Sequence, residues 1–394
     1  MSIFLEGLFN GLSIGSVLLI SALGLAIVFG LMGVINLAHG ELMMLGAYTT
    51  FVVQNVFKSW GEQFFDLYII AAIPLAFLVA ALVGFALEKG VIRYLYGRPL
   101  ETLLATWGVS LILQQFVRSV SWMLVISIVV FCVLFWAPRY FLKNRPDWQK
   151  IKPWSIVILL PLSLGVATVT GILINRNAVE SLNRPWFSAR NVDVTAPSWL
   201  RGGLALDTFQ LPYARLFIIG LTIICVIATY WFLNKSNWGL RIRAVTQNRT
   251  MSSCLGIPTE KVDALTFALG SGLAGIAGCA ISFLGSVGPN TGQNYIVDAF
   301  MVVVVGGVGN LFGTIISALA IGIINYIIIV GSSSAAVSLS ISNAGDLGFI
   351  NLVDFFNFFS TTSMAKVLVF ALIIAFLQIK PAGIFPQKGR GVEL

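Results

Sequence analysis

The sequence predicts an all-α protein: a polytopic transmembrane helical bundle of about 8–10 spans, some of them broken, in a single membrane domain over residues 1–394. Hydrophobic residues make up 58% of the chain and charged residues only 10%, whereas about a quarter of a soluble globular protein is charged. Six stretches carry no charge at all, namely 7–38, 119–138, 153–175, 216–234, 264–297 and 299–345. Because about 20 apolar residues cross a bilayer, each stretch is long enough for at least one span.

Basic residues set the predicted orientation of these spans. The apolar segments lie at roughly 8–34, 41–57, 64–87, 103–120, 121–138, 154–175, 214–233, 264–287, 295–331 (broken) and 366–379. If they alternate, 16 of the 24 Lys and Arg residues fall on one side, in loops 88–101, 139–153 and 234–263 and in the C-terminal tail. Cytoplasmic loops collect Lys and Arg, so this side is predicted to be cytoplasmic. The same rule explains the net charge of +8 without a nucleic-acid partner.

The remaining composition predicts neither a cofactor nor a metal site. The four cysteines show no CxxC spacing and are interpreted as packing residues. The stretch 176–213 is the longest predicted outside loop, with room for a short surface helix. The Ser/Gly-rich start of 331–365 predicts a loop, and its later FINLVDFFNFF an amphipathic interfacial piece. Lys366 begins the last, short span, where its side chain can extend to the interface.

The first polar constellation is NLAHGEL, which contains the only histidine of the chain. Asn36, His39 and Glu41 lie inside an otherwise apolar run, and ionisable groups in lipid usually face protein or water. The pattern predicts a chain break, with one helix ending near Ile35 and another starting near Glu41, capped by Asn36. Two compatible readings remain: the three groups satisfy the broken backbone, or they line a translocation path.

The second constellation is GPNTGQN followed by YIVD, a polar patch between two uncharged apolar segments. Its neutral donors and acceptors suit an uncharged polar solute, although an ordinary outside loop is the plain alternative. Asp298 is the only charge between Asp263 and Asp346. The candidate path residues here are Asn290, Thr291, Gln293, Asn294 and Asp298.

Two glycine-rich runs predict close packing and a further break. Gly270, Ala274 and Gly278 are four residues apart on one helical face, a spacing that lets helix backbones approach in lipid. The run VVVVGGVGNLFG mimics a dinucleotide-binding turn, but its glycine spacing and uncharged flanks favour a helix break within the membrane. A serine protease built from Ser271 and His39 is disfavoured, since one serine in a glycine-packed helix is weak evidence, and no catalytic residue is assigned.

The predicted cytoplasmic loop 234–263 contains a compact helix at 240–257 that ends at a Gly-x-Pro signal. A bare loop needs no helix with a defined stop, so this element is interpreted as a docking element for a partner. The candidate docking residues are Arg241, Arg243, Gln247, Asn248, Arg249 and Gly256.

These motifs together resemble a known family. GLMGVINLAHGELMMLGAY, the cytoplasmic loop with LTFALGSGLAGIAG, and VLVFALIIAFLQIKPAGIFP are similar to the transmembrane permease subunits of branched-chain amino acid and urea ABC (ATP-binding cassette) importers. The stretches 98–118 and 286–310 resemble the urea branch, its B-type permease. The resemblance covers most of 7–120 and 190–388.

The resemblance implies a transport subunit without enzymatic activity, in the bacterial inner membrane. It implies a second homologous permease subunit, two cytoplasmic ATPase subunits docked on loop 234–263, and a periplasmic solute-binding protein, all working within membrane lipid. Urea is the substrate it implies first; branched-chain or other amino acids are the alternative. A stand-alone channel is a further alternative, although a passive pore has no use for a docking element.

The sequence departs from the family pattern at two places. The coupling motif of the family ends EAAxxxG, whereas this chain reads TMSSCLG, which keeps Gly256 but not the acidic and alanine positions. Residues 121–175 look like an inserted hydrophobic hairpin. Since it adds an even number of spans, it preserves the topology on either side.

Overall fold

The computed structural model describes residues 2–142, 148–176, 186, 191–206, 209–342 and 361–385. Its long helices and their shorter companions are α1 Ser2–Ile27, α2 His39–Trp60, α3 Glu62–Phe65, α4 Tyr68–Gly90, α5 Pro99–Ser119, α6 Trp122–Leu142, α7 Trp148–Arg176, α8 Tyr213–Lys235, α9 Asn237–Gln247, α10 Arg249–Cys254, α11 Thr259–Ile281, α12 Thr291–Gly306, α13 Leu311–Ser342 and α14 Thr362–Ile379. A π-helical turn (Val28–Met32), two 3₁₀ turns (Ile92–Leu95 and Ser198–Leu200) and strands β1 (Gly203–Leu206) and β2 (Phe209–Pro212) complete the described elements. The all-α class is therefore confirmed.

Six helical segments of the described residues are long and apolar enough to cross a membrane. They are Gly7–Met32, Tyr68–Gly90, Pro99–Ser119, Tyr213–Lys235, Thr259–Ile281 and Leu311–Val330. Three shorter apolar helices accompany them, at Met123–Pro138, Pro161–Leu173 and Met364–Ile379. A chain with this many apolar helices is a multi-pass membrane protein.

The chain divides into two compact units, one formed by residues 1–110 with 192–394 and the other by 111–191. In the smaller unit α6 and α7 pack against each other, with Gly171 lying against Ser127. Large apolar side chains such as Val133, Trp136 and Leu162 are exposed on these helices. Such a surface suits hydrocarbon rather than water.

In the larger unit α11 is the central helix, and small residues bring its backbone against three neighbours. Gly270 lies against Gly24 of α1. A methyl group on Gly275 would meet the Ala76 carbonyl of α4, and one on Gly278 would meet main-chain atoms of α2. In lipid such close packing, rather than water exclusion, drives helix association. The predicted close packing along Gly270, Ala274 and Gly278 is therefore present.

The predicted outside segment before α8 forms a 3₁₀ turn and a β-hairpin in its described part. The surface helix expected within 176–213 is not tested, because most of 177–190 lies outside the described residues. At one end of the hairpin, Gly203 of β1 pairs with Pro212 of β2. The Asp66 carboxylate accepts hydrogen bonds from the Ser198 amide (2.8 Å) and hydroxyl (2.5 Å). These bonds lower the pKa of Asp66, because they stabilise its charged form. The segment is thereby fastened to the start of α4, where Tyr68 also donates to the Thr195 carbonyl at 2.7 Å.

The expectation of a loop from residue 331 onward is wrong for its first part. Helix α13 continues to Ser342. The run GSSSAAVSLSIS contains no proline, and alanine is the strongest helix former, so an established helix can extend through it. The predicted interfacial piece at 349–359 lies outside the described residues.

We expect Gly278→Ala to lower the free energy of unfolding by about 1–3 kcal/mol, because the new methyl group would overlap the α2 backbone. Denaturant or thermal unfolding of the detergent-purified chain measures the loss. Gly220→Ala is the matched control, since a Cβ on Gly220 of α8 meets no atom within 4 Å. Equal stability of the two variants would contradict the packing role of α11.

Candidate functional site

The first polar constellation lies at a real helix break. Helical structure ends at Met32, and Gly33 adopts a left-handed φ of 69° that terminates it. Helix α2 then begins at His39. The predicted break is confirmed, and both of its ends lie two to three residues earlier in the chain than expected near Ile35 and Glu41.

The sequence predicted that Asn36 caps α2, but Asn36 does not occupy the N-cap position. That position is Ala38, which offers no side-chain cap. The Asn36 side-chain oxygen instead accepts from the Ala38 amide at 3.1 Å, and the Asn36 carbonyl accepts from the His39 amide at 3.4 Å. Asn36 therefore closes the turn that precedes the helix, which Asn side chains do readily.

His39 is wedged between helices rather than exposed to a channel. Its side chain is fully buried, and its Nε2 lies 3.1 Å from the Ser21 carbonyl of α1. A carbonyl only accepts, so Nε2 carries the proton. The ring carbon Cε1 lies close to Gly24, at the point where α1 also meets Gly270 of α11. His39 thus fixes the start of α2 against α1.

Two hydroxyls of α5 complete this cluster, and the sequence analysis did not single out either of them. Ser110 donates to the Glu41 carboxylate at 3.0 Å. Thr106 accepts from the Leu37 amide at 3.2 Å and lies 3.4 Å from the Ile35 carbonyl. Both hydroxyls are buried. Thr106 supplies a partner for the backbone of the break, as hydrocarbon surroundings require, and Ser110 supplies one for the buried Glu41 carboxylate.

The second constellation is placed next to the first by two glycines. Gly40 of α2 and Gly292 of α12 lie backbone to backbone, so that a Cβ on either would overlap the other. Thr291 faces inward and accepts from the Gly288 amide at 2.7 Å. Asn290 and the first-turn residues Gln293 and Asn294 are exposed. Of the predicted path residues, these three amides are therefore accessible to a solute, whereas Asn36, His39 and Glu41 are buried.

Asp298 pairs with Lys366 and is not an open ligand. The Lys366 Nζ lies 2.8 Å from the Asp298 carboxylate, whose side chain is only 11% exposed. Lys366 therefore points to α12 and not outward to the interface as the sequence suggested. The pair fastens α14 to α12 across 68 residues of sequence.

The glycine run after α12 is a helix break, as predicted. Gly307 and Gly309 have φ values of 99° and 87°, which only glycine adopts without strain. The Asn310 side chain accepts from the amides of Phe312 (3.0 Å) and Gly313 (3.2 Å), and so caps α13. The Ile384 amide donates to the Val305 carbonyl at 2.8 Å, so the segment after α14 covers the end of α12.

The predicted cytoplasmic loop 234–263 forms two short helices, α9 and α10, where the sequence predicted one helix at 240–257, because Asn248 between them is extended. Ser236 caps α9 through the Gly239 amide (2.9 Å), and Asn248 caps α10 through the Met251 amide (2.9 Å). Gly256 ends α10 with a φ of 79°, and the Ile257 amide returns to the Ser252 carbonyl at 3.1 Å. This is a Schellman motif, which requires glycine at that position.

The residues that the sequence predicted for docking lie on two different surfaces and in one internal contact. Met251 of α10 is 59% exposed and Leu255, which directly follows α10, is 76% exposed. The two side chains form an exposed apolar surface. Arg243 and Gln247 line a cleft of about 1010 Å³ between α1, α8 and the start of α13. Arg241 is exposed and stacks on Trp238, with its guanidinium carbon 5.0 Å from the ring centroid.

Arg249 makes the internal contact of this element. Its guanidinium lies 2.7 Å from the Asp263 carboxylate of α11 and over the ring of Tyr96. Burial raises the pKa of the Tyr96 hydroxyl, which lies between α4 and α5. Asp263 and Tyr96 were not singled out from the sequence, because a single Asp at a predicted helix start reads as an ordinary dipole partner.

The described residues do not contain the serine–histidine pair of a protease. The Ser271 hydroxyl lies against Gly84 of α4, whereas His39 contacts α1. Neither the Ser271 oxygen nor the His39 Nδ1 has a hydrogen-bond partner among the described atoms, so the two are not bonded to each other. No group of three His, Cys, Asp or Glu side chains that could hold a metal occurs among the residues described.

Comparison with known proteins identifies a family and its near relatives. The model of the family described as "Branched-chain amino acid transport system / permease component" matches residues 7–377. The chain is 25% identical to the high-affinity branched-chain amino acid transport system permease protein LivH of Salmonella typhimurium over 383 residues, covering 97% of this chain and 95% of the relative. The LivH of Escherichia coli K12 is 26% identical over the same coverage.

A third relative is the branched-chain amino acid permease BraD of Pseudomonas aeruginosa, which is 25% identical over 81% of this chain and 84% of its own. No solved structure matches the chain significantly. These relatives do not support the urea branch that residues 98–118 and 286–310 suggested. They fit the amino-acid alternative better.

We expect Thr106→Val to lower the free energy of unfolding by about 1–3 kcal/mol, because it leaves the buried Leu37 amide without its acceptor. Unfolding of the purified chain in detergent measures this loss. Thr168→Val is the matched control, since the exposed Thr168 hydroxyl bonds only to the Gly165 carbonyl of its own helix. A Thr106 variant as stable as this control would contradict the role of α5 at the break.

Lys366→Met should lower stability by about 1–3 kcal/mol, because it leaves the largely buried Asp298 carboxylate without its cation. The double variant Asp298→Asn/Lys366→Met should recover most of this loss, since it removes both charges. Comparison of the two single variants with the double variant gives the interaction energy. Strictly additive losses would show that the ion pair contributes nothing.

Proposed function

Because the chain belongs to the branched-chain amino acid transport system permease family, which matches residues 7–377, we propose that it forms part of the translocation path of an importer for branched-chain amino acids. It is a permease component of an ABC-type transporter and a multi-pass membrane protein. As a transport subunit it has no enzymatic activity of its own.

The observation that carries the substrate proposal is the near-complete coverage of relatives named for branched-chain amino acids. A shorter match, 35% identity over 25% of this chain, is to the ribose import permease RbsC of Haemophilus influenzae. The family frame thus accommodates different solutes. Coverage of 97% of this chain favours the amino-acid proposal over urea, which rests on two stretches.

Members of this family work with ATPase subunits, other permease subunits and a binding protein. We place two ATPase subunits against α9 and α10, whose caps and Schellman end make a rigid element with exposed Met251 and Leu255. A second homologous permease and a periplasmic binding protein complete the assembly in the bacterial inner membrane. A passive channel would need no such docking element.

The solute path is proposed to run along the exposed first turns of α12. Gln293, Asn294 and, one turn on, Val297 are exposed there. These side chains combine neutral hydrogen-bonding groups with an aliphatic surface, as a site for a small apolar amino acid requires. Asn36, His39 and Glu41 support this face from behind through the Gly40–Gly292 contact.

Uptake of labelled leucine and urea at micromolar concentration tests the proposal, in a host without its own leucine uptake. We expect leucine uptake only when this chain is expressed with its partner permease, ATPase subunits and binding protein. Omission of the ATPase subunits should abolish it, because import against a gradient needs ATP.

The other outcomes are equally informative. Urea uptake without leucine uptake would restore the substrate that the sequence first suggested. Leucine flux through the permease without ATPase subunits would establish a passive channel. Transport of neither solute would overturn the amino-acid proposal.

A further inference from the structure

We propose that the Arg249–Asp263 ion pair is the joint that transmits movement of the docking helix α10 to the core helix α11, and that Tyr96 positions it. This inference rests on the proposed function, since it assumes that an ATPase docks on α9 and α10. Arg249 and Asp263 are positioning residues here, because neither is proposed to contact the solute.

The pair joins an exposed cation to a buried carboxylate. The guanidinium nitrogen and the carboxylate oxygen are 2.7 Å apart, and the Asp263 side chain is 7% exposed. The guanidinium carbon lies 4.5 Å above the Tyr96 ring centroid, so the cation is held from a second side. Arg249 is the first residue of α10, and Asp263 lies in the first turns of α11.

Direct contact between α10 and α11 is otherwise slight. The apolar anchor of the loop lies on α9, where Ile242 and Val245 pack with Leu233 of α8 and Val262 of α11. Besides the small, buried Ser252, Arg249 is the α10 side chain that forms an ion pair with the core helix. A push on the exposed Met251 or Leu255 is transmitted to α11 at this point.

Stability alone does not explain a carboxylate at position 263. Burying a charge pair has a desolvation cost that often exceeds its Coulombic gain, and an apolar pair of similar volume is frequently as stable. Removing one partner, in contrast, leaves the other buried and uncompensated. The pair therefore makes α11 sensitive to the position of Arg249.

A second ion-pair group lies at the same end of α11. Arg93 contacts Glu260 of α11 at 2.8 Å and the fully buried Glu88 of α4 at 3.3 Å. Arg93 thus links the start of α11 to the end of α4. Movement received at Asp263 is shared by both helices.

Helix α11 continues from this joint to the broken helix. Its Gly270 lies against Gly24 of α1, and Gly24 contacts the His39 ring. Gly278 lies against the α2 backbone further along. A rigid α11 therefore connects the docking element with the start of α2, without any flexible segment between them.

The test uses the complete complex, purified through a tag on this chain and reconstituted in liposomes with its binding protein. ATP hydrolysis and labelled leucine uptake are measured together for Arg249→Met, Asp263→Asn and the exchange Arg249→Asp/Asp263→Arg. Arg98→Glu/Glu101→Arg is the matched control, an exposed cytoplasmic ion pair that should matter little.

We expect both single variants to retain the ATPase subunits and hydrolyse ATP, while leucine taken up per ATP falls at least about fivefold, the low end of typical coupling effects. The exchange variant should recover most of the lost coupling, and Arg249→Lys should retain more than Arg249→Met. A purely structural role would instead lower hydrolysis, uptake and the unfolding temperature together.

Unchanged uptake per ATP in Arg249→Met, whose side chain is 43% exposed and whose replacement should fold, would overturn the joint alone. An exchange variant that assembles but stays uncoupled would also overturn it. If the wild-type chain does not assemble with ATPase subunits, both the proposed function and the joint fail.

Discussion

The close approach of three α11 glycines to the neighbouring helices is the constraint on which the rest of this structure depends. At Gly270, Gly275 and Gly278 a single added methyl group would overlap atoms of α1, α4 and α2 respectively. Within lipid there is no water to drive these helices together, so dense contact must hold them. Because interfaces of this kind are not continuously deformable, α1, α2, α4 and α11 form one block.

A block this dense has to contain a chain break without access to water. The break between Met32 and His39 is satisfied from within, by the Asn36 side chain and by Thr106 of α5. The only imidazole of the chain serves the same end, since one ring nitrogen donates to the Ser21 carbonyl while its carbons pack on Gly24. Because it is fully buried, His39 is not accessible to a solute in this structure.

Local signals in the sequence predicted the elements but not their partners. The uncharged runs, the glycine breaks and the Gly256 stop of the loop helix follow from short-range rules, and the structure has them near the predicted residues. Thr106 and Ser110 were missed because they lie 69 residues from Leu37 and Glu41 and no periodicity links them. Asp298 was taken for a path residue for the same reason, since its partner Lys366 is 68 residues away. The helix after residue 331 was missed because serine and glycine were taken as loop signals. They do not end a long helix that is already established before them.

The exposed face of α12 packs on the block through α1 and α2, which is also where α11 brings the proposed docking element. Gly292 fixes the start of α12 on Gly40, and Gly307 fixes its end against the segment that follows α14. Because α12 is held at both ends by backbone contacts, a displacement of Gln293 and Asn294 requires a movement of the block. The proposed solute path and the proposed Arg249–Asp263 joint therefore predict separable effects. Under these proposals, changes at the amides alter which solute the path accepts, whereas changes at the joint alter how much transport each ATP drives.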